Sequence, residues 1–224
     1  NLLNKLQKFI SSKNLITDTG STKRNIENLI YRNEKLKKIF VPSHPIAGSE
    51  VSGPEFGNKN LFKEKWCIIL KTNNKSTKNV KKIEKFWKKL GSKIVFMNSI
   101  DHDKIFSITS HLPHLIAYNL VKTAIDFQKK NKTNIIKYSA GGLRDFSRTA
   151  SSNEIMWRDI FFENKDNIVD SINIFIRNLN NFKRLIKNQN NINILKILNN
   201  SKKVRKQIID LKQDISKPNF GRDN

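Results

Sequence analysis

The hydrophobic period of the chain changes once, near residues 98–101, and that change narrows the folds open to it. Before it, short apolar runs of strand length alternate with stretches of helical spacing. Leu15-Ile16-Thr17, Ile39-Phe40-Val41, residues 65–71 and residues 93–97 read as strands, while Ile26, Leu29 and Ile30, and then residues 80–90, recur at helical intervals. Leu2, Leu3, Leu6 and Ile10 suggest a short helix at the start. Strands alternating with helices predict a mostly parallel sheet covered on both faces. After residue 101 every apolar stripe is helical, so the expected class is α/β followed by all-α.

The helical half opens with a stripe from Ile105 through Ile108, Leu112, Leu115, Ile116 and Leu120 to Phe127, read as one long helix kinked at Pro113. A loop is expected over residues 138–152, then a short helix through Ile155, Trp157, Ile160 and Phe161, in which Trp157 and Met156 read as core. Ile168, Ile172, Ile176, Leu179, Phe182 and Ile186 mark another helix, and residues 194–215 one or two more. This divides the chain into domains at 1–99 and 100–217, with a frayed tail at 218–224.

The 224 residues, 37% of them hydrophobic, suffice for one large or two modest domains. Lys and Arg number 43 against 19 Asp and Glu, a net charge of +24 that by itself invites nucleic acid or an anionic membrane as partner. The basic residues, however, are spread through every segment beside Asn-rich runs such as residues 188–191. Such charge reads as compositional bias on solvated faces that can still draw in an anionic substrate, so neither nucleic acid nor membrane is expected as a partner. The single cysteine, Cys67, lies in the apolar run W-C-I-I-L and reads as a buried strand thiol, and no internal disulfide is possible. With no apolar run near about eighteen residues and no hydrophobic leader, the expected location is cytoplasmic.

Four stretches could carry chemistry. In V-P-S-H-P-I-A-G-S-E-V-S-G (residues 41–53), Pro42 and Pro45 bracket His44 and disfavour both helix and an unbroken ladder, placing the imidazole on a rigid turn at a strand end. The Asp18-Thr19-Gly20-Ser21 turn follows its own strand, so both could face one crevice at the carboxyl ends of a sheet. There Ser21 or Thr22 serves as helix N-cap, and Ser21 equally suits a catalytic contact. On the long helix, S-H-L-P-H places His111 and His114 on one face, and Pro113 frees the carbonyl of Thr109. Either histidine could be a satisfied core residue instead. His102 is too poorly accompanied by Cys or carboxylates to complete a metal site, and none is expected. In the fourth stretch, S-A-G-G-L-R-D-F-S-R-T-A (residues 139–150), two glycines free the backbone while Arg144, Arg148 and Asp145 offer a carboxylate clamp or an ordinary ion pair.

Taken in order, D-T-G-S at Asp18, H-P-I-A-G-S-E-V-S-G at His44, H-D-K-I-F-S-I-T-S-H-L-P-H at His102 and G-G-L-R-D-F-S-R-T-A-S-S-N-E-I-M-W-R-D-I-F-F-E-N from Gly141 resemble the prephenate and arogenate dehydrogenase family. The resemblance runs from Asp18 to about Leu185. It implies a Rossmann-type nucleotide-binding domain followed by a helical domain that forms a homodimer. It also implies NAD as cofactor, with NADP as the alternative, and oxidative decarboxylation of prephenate to 4-hydroxyphenylpyruvate on the way to tyrosine. On that resemblance His44 takes the proton of the ring hydroxyl, and Ser21 hydrogen-bonds His44 or that hydroxyl. His114, Arg148, Ser110 and Gly141 bind substrate, Arg148 on a carboxylate. Asp145 gates or orients the site, and Asp18, Ser21 and Ser49 lie toward the cofactor.

The resemblance also implies a leading strand with a G-x-G-x-x-G phosphate turn, and this sequence contains neither. The expectation is therefore a partial nucleotide-binding domain lacking its N-terminal segment of about a hundred residues, in a fragment or a truncated gene product that begins at Asn rather than Met. Two alternatives stand beside prephenate oxidation: arogenate as the substrate, and a truncated, non-catalytic basic binding protein.

Overall fold

The computed structural model describes residues 5, 8–48, 53–71 and 77–213, and the initial helix expected from Leu2, the tail from residue 218 and Ser49 lie wholly or largely outside them. The chain divides into two compact units, Asn1–Ser171 and Ile172–Asn224. In the first, α1 (Arg24–Tyr31) and α2 (Glu34–Ile39) lead into β1 (Ser43–Pro45), a single 3-10 turn, β2 (Trp66–Leu70), α3 (Thr77–Lys89) and β3 (Lys93–Met97). Helices follow: α4 (Ser99–Phe106), a π turn (Ser107–His111), α5 (Leu112–Asn131), α6 (Gly141–Thr149), α7 (Glu154–Glu163) and α8 (Lys165–Lys187), which continues into the second unit ahead of α9 (Asn191–Asp210).

The three-stranded sheet has the order β1-β2-β3. β2 and β3 are parallel, as expected, but β1 runs antiparallel to β2, with His44 opposite Ile68 and Pro45 opposite Cys67. His44 thus sits within a strand rather than on a turn beyond one. β1 tolerates Pro45 because it is short and at the edge of the described sheet, where a missing N–H breaks no inner ladder. The strand expected at residues 39–41 is shifted: Asn33 caps α2 by accepting from Lys35 and Leu36 N–H, and the helix it starts carries Leu36 and Ile39 inward before Phe40 makes one parallel bridge with Ile16. That bridge is what residues 15–17 contribute in place of a strand.

Two apolar clusters follow from these periods. Val41, Cys67 and Ile69 meet Ile83 and Trp87 of α3, and Ile30, Leu36 and Phe40 form a second group between α1 and α2. Burial pushes the Cys67 thiol up to about 12, which leaves it a core residue without nucleophilic character.

Where a kink was expected, at Pro113, the helix is preceded by a π turn in which Leu112 N–H reaches back to the carbonyl of Ser107. Residues 141–149, expected as a loop, form α6. Its two glycines open the helix, where the first N–H groups need no intrahelical partner, and neither takes positive φ. Met156, expected in the core, is exposed, whereas Trp157 is buried.

In the second unit, α8 ends in a left-handed Gln189, with Asn190 N–H returning to Leu185 O and Gln189 N–H to Ile186 O; the Asn190 side chain then caps α9 by accepting from Asn193 N–H. Among the described residues no helix is long and apolar enough to cross a membrane.

Trp87 fills the larger cluster and donates from Nε1 to Ser43 Oγ at 3.0 Å. Trp87→Ala should lower stability by about 3–5 kcal/mol, measured as a reduced urea midpoint; a loss under about 1 kcal/mol would mean that the cluster does not anchor α3 to the sheet.

Candidate active site

β1 is pinned to the turn that precedes α1. Asp18 accepts from Ser43 N–H through Oδ1 at 3.0 Å, and Ser43 Oγ donates to the carbonyl of Asp18 at 2.8 Å. Asp18 Oδ2 takes Lys23 Nζ at 2.6 Å and Gly20 N–H at 3.1 Å. A Cβ on Gly20 would stand 3.0 Å from that same oxygen, so a side chain there would press the carboxylate back by a few tenths of an ångström. Lys23 is fully buried. Burial pulls its ammonium below the ordinary lysine value, while the adjacent Asp18 carboxylate favours the charged form.

Neither Ser21 nor Thr22 caps α1. The N-cap position is Lys23, without a side-chain cap, and the carboxylate of Asp103 accepts Lys23 N–H at 2.8 Å and Arg24 N–H at 2.9 Å from about eighty residues away. An anion at a helix N-terminus suits both the orphan donors and the helix dipole. The same carboxylate meets His102 Nδ1 at 2.7 Å, and His102 Nε2 meets His44 Nδ1 at 2.8 Å. Asn164 extends the polar run, donating from Nδ2 to Asp103 O at 2.8 Å and lying 3.1 Å from His111 Nδ1. His111 Nε2 is buried with no hydrogen-bond partner among the described residues.

Burial lowers all four histidines. It takes His44 down to about 2, helped by the neighbouring charges of His102, Lys23 and His111, and His111 down to about 4. His102 and His114 are lowered by the same cause, against the Asp103 carboxylate and the Ser110 carbonyl respectively. Burial alone would raise Asp103, but hydrogen bonds from His102 and from Arg24 and Lys23 N–H outweigh it and keep the carboxyl below its ordinary value. His102 is 0% exposed and His44 is 8% exposed, so His44 is the member of this chain nearest solvent.

The other expected site residues fall on neighbouring elements. His114 on α5 places Nδ1 3.0 Å from Ser110 O and stacks on Trp157 of α7, ring centroids 3.7 Å apart. Gly141, Asp145 and Arg148 ride on α6, which packs against α5, and a Cβ on Gly141 would meet nothing within 4 Å. The hydrogen bond given to His44 Nδ1 is with His102, not Ser21. A shallow concavity along α3 is lined by Lys81, Lys85, Lys88 and Lys89 with Glu84, on an element that carries none of these residues.

The family model described as prephenate dehydrogenase, dimerization domain, matches residues 98–215, and that of the nucleotide-binding domain matches residues 1–96. The chain belongs to the prephenate dehydrogenase family. The nucleotide-binding match removes support for the expected absence of that segment: residues 1–96 are themselves recognised as this domain. The chain is 35% identical over 191 residues to a cyclohexadienyl dehydrogenase of Zymomonas mobilis, covering 85% of this chain and 65% of that protein. It is 31% identical over 192 residues to a prephenate dehydrogenase of Bacillus subtilis, covering 85% and 51%. The chain thus spans between half and two thirds of the length of these relatives. The crystal structure of prephenate dehydrogenase from Aquifex aeolicus in complex with hydroxyphenyl propionate and NAD+ superposes with TM-score 0.84 at 38% identity, covering 91% of this chain and 70% of that one. An arogenate dehydrogenase structure from Synechocystis, at 23% identity and TM-score 0.73, shares the fold.

Sequence reasoning missed Asp103, Lys23 and Asn164 and weighed His102 only as a metal ligand. The available signal was the His102-Asp103 pair just beyond the first turn of a helix beginning at an Asn cap, a pattern that can orient an imidazole.

With histidine values held below the ordinary 6.5, the unfolded chain takes up protons that the folded chain refuses once pH falls below about 6.5. Stability should therefore be level above about pH 7 and decline toward pH 5. The urea midpoint should drop over that interval, less so in His44→Asn; an unchanged midpoint would contradict the buried neutral imidazoles.

Proposed function

We propose that this protein acts in the NAD(P)-dependent oxidative decarboxylation of prephenate to 4-hydroxyphenylpyruvate, with His44 as the base that takes the ring hydroxyl proton. The observation that carries this reading is the position of His44: neutral, on an edge strand, and the most exposed end of a buried polar chain. Loss of hydride from a carbinol carbon requires the oxygen's proton to leave, and a neutral imidazole can receive it. Loss of carbon dioxide then leaves its bonding electrons in the ring, which becomes a phenolate, and the His44 imidazolium can return the proton to that oxygen.

NAD(P), when bound, accepts the hydride. The residues that would meet it are Ser21, the Asp18 turn and Ser49, the last outside the described residues; the described ones fit its nicotinamide end better than its pyrophosphate. The sequence has no G-x-G-x-x-G turn, two of the N–H groups opening α1, those of Lys23 and Arg24, are taken by Asp103, and the Asp18 carboxylate already holds Lys23, Gly20 and Ser43.

Prephenate is a dianion. Arg148 on α6 takes one of its carboxylates, Asp145 one turn earlier orients that guanidinium, and Gly141 leaves room at the start of α6. His114 commits Nδ1 to the Ser110 carbonyl, so its Nε2 receives a hydroxyl while neutral or a carboxylate once protonated. Residues 1–99 serve as the nucleotide-binding part and residues 100–217 as the helical part, through which two copies form a homodimer. The exposed Ile174, Leu179, Ile192, Leu195, Leu198 and Ile208 of α8 and α9 give that contact its apolar area.

Arogenate carries the same ring with an amino-acid side chain, and the Zymomonas relative is named for a cyclohexadienyl ring. Turnover on each substrate separates the two, and prephenate should be preferred.

His44→Asn should lower kcat by about 100-fold or more with the fold retained; unchanged turnover would remove His44 from the mechanism. Arg148→Ala should raise KM for prephenate about tenfold or more with a smaller change in kcat, and a normal KM would refute the clamp.

A further inference from the structure

We propose that Asp103 and His102 are positioning residues that set the tautomer of His44, holding its proton on Nδ1 and leaving Nε2 as the bare lone pair that faces the reaction. The inference deepens the reading of His44 as base and rests on it for its functional meaning, but its physical content concerns only where two imidazole protons sit.

Each step follows from what the atoms can do. An ionised carboxylate only accepts hydrogen bonds. Asp103 receives two backbone N–H groups, from Lys23 and Arg24, and these already fix it as an acceptor. The third contact, His102 Nδ1 at 2.7 Å, must therefore donate, so His102 carries its proton on Nδ1. A neutral imidazole with Nδ1 protonated has an accepting Nε2. His44 Nδ1, 2.8 Å from that atom, must then donate to it, and the only nitrogen of His44 left without a proton is Nε2. The backbone hydrogen bonds of a helix start thus determine, through two rings, which nitrogen of His44 can take a proton.

Packing holds the rings in place. Phe106 lies against both imidazoles, with centroids 5.0 Å from His44 and 4.6 Å from His102, and His102 has no exposed surface. When His44 accepts a proton, its Nδ1–H still points at His102 Nε2, and the Asp103 charge stabilises the imidazolium from one ring away. The substrate O–H bond breaks and the Nε2–H bond forms; no proton moves along the chain. Asp103 and His102 do not touch substrate on this account, which is why they are positioning rather than catalytic residues.

Long-range proton–nitrogen correlation spectra of the intact chain labelled with 15N-histidine test this directly, with the four histidines assigned by single substitution. In the unsubstituted protein near neutral pH, His44 and His102 should both show a protonated Nδ1 and a bare Nε2. His44 protonated on Nε2 would overturn the proposal without any reference to turnover. In His102→Leu the His44 signals should move to an average of two tautomers and kcat should fall at least about tenfold with KM nearly constant. His102→Gln, whose amide oxygen can accept from His44 Nδ1–H, should recover part of both. In a His44→Asn background His102→Leu should cost nothing further, because it acts only through His44; fully additive losses would overturn the proposal. The base reading fails separately, if His44→Asn turns over normally while the spectra remain as described.

Discussion

One buried carboxylate organises the region around β1. Asp103 is almost wholly enclosed, and an unpaired anion there would be costly, so its three donors are structural requirements rather than options. Two come from the backbone at the start of α1 and one from its neighbour His102, which ties two helix starts about eighty residues apart. Lys23 is the pivot: its N–H goes to Asp103 while its ammonium goes to Asp18, and Asp18 in turn holds Ser43. The backbone of β1, directly, and the side chain of His44, through His102 and Asp103, are therefore both tied to one short segment, residues 18–24. Breaking the Lys23–Asp18 pair by removing one partner leaves a buried charge, at a cost of about 3–5 kcal/mol, more than a surface pair would.

The electrostatics of this region are set for a charge that has yet to arrive. In a chain of net charge +24, the four histidines are all held toward neutrality by burial. Burial holds the His44 imidazole well below its ordinary value while no ligand is present. A dianionic ligand shifts that balance upward, because negative charge beside an imidazole favours its protonated form. On the proposed reading, substrate binding and the proton affinity of His44 are thus one coupled event, and the base gains strength when there is a proton to take.

Legibility of the fold followed the strength of each local period. β2, α3, β3, α5, α7 and α8 were readable because their apolar spacing is long or unbroken and tertiary context only reinforces it. β1 and α2 were not, since a capping Asn33 and two prolines within a few residues give local signals that conflict, and an edge position resolves them in favour of a strand. α6 was misread because paired glycines signal a loop unless they fall in a helix's first turn. The abundance of Asn, read as bias, also conceals work: Asn33, Asn98, Asn153 and Asn190 each cap a helix through a side-chain oxygen.

The site was legible where chemistry-bearing residues cluster in sequence and hidden where it is assembled from distant ones. H-P-I-A-G-S and S-H-L-P-H stand out as strings, but nothing in either string points to the other. His102, taken alone, has every mark of a satisfied core histidine: fully buried, between an aspartate and an aromatic ring. That description is correct and incomplete, since its second nitrogen, spent on a partner 58 residues away, turns a packing residue into one that decides where a proton can go. A histidine's second hydrogen bond is therefore the observation that separates the structural from the functional case, and it exists only once the chain has folded.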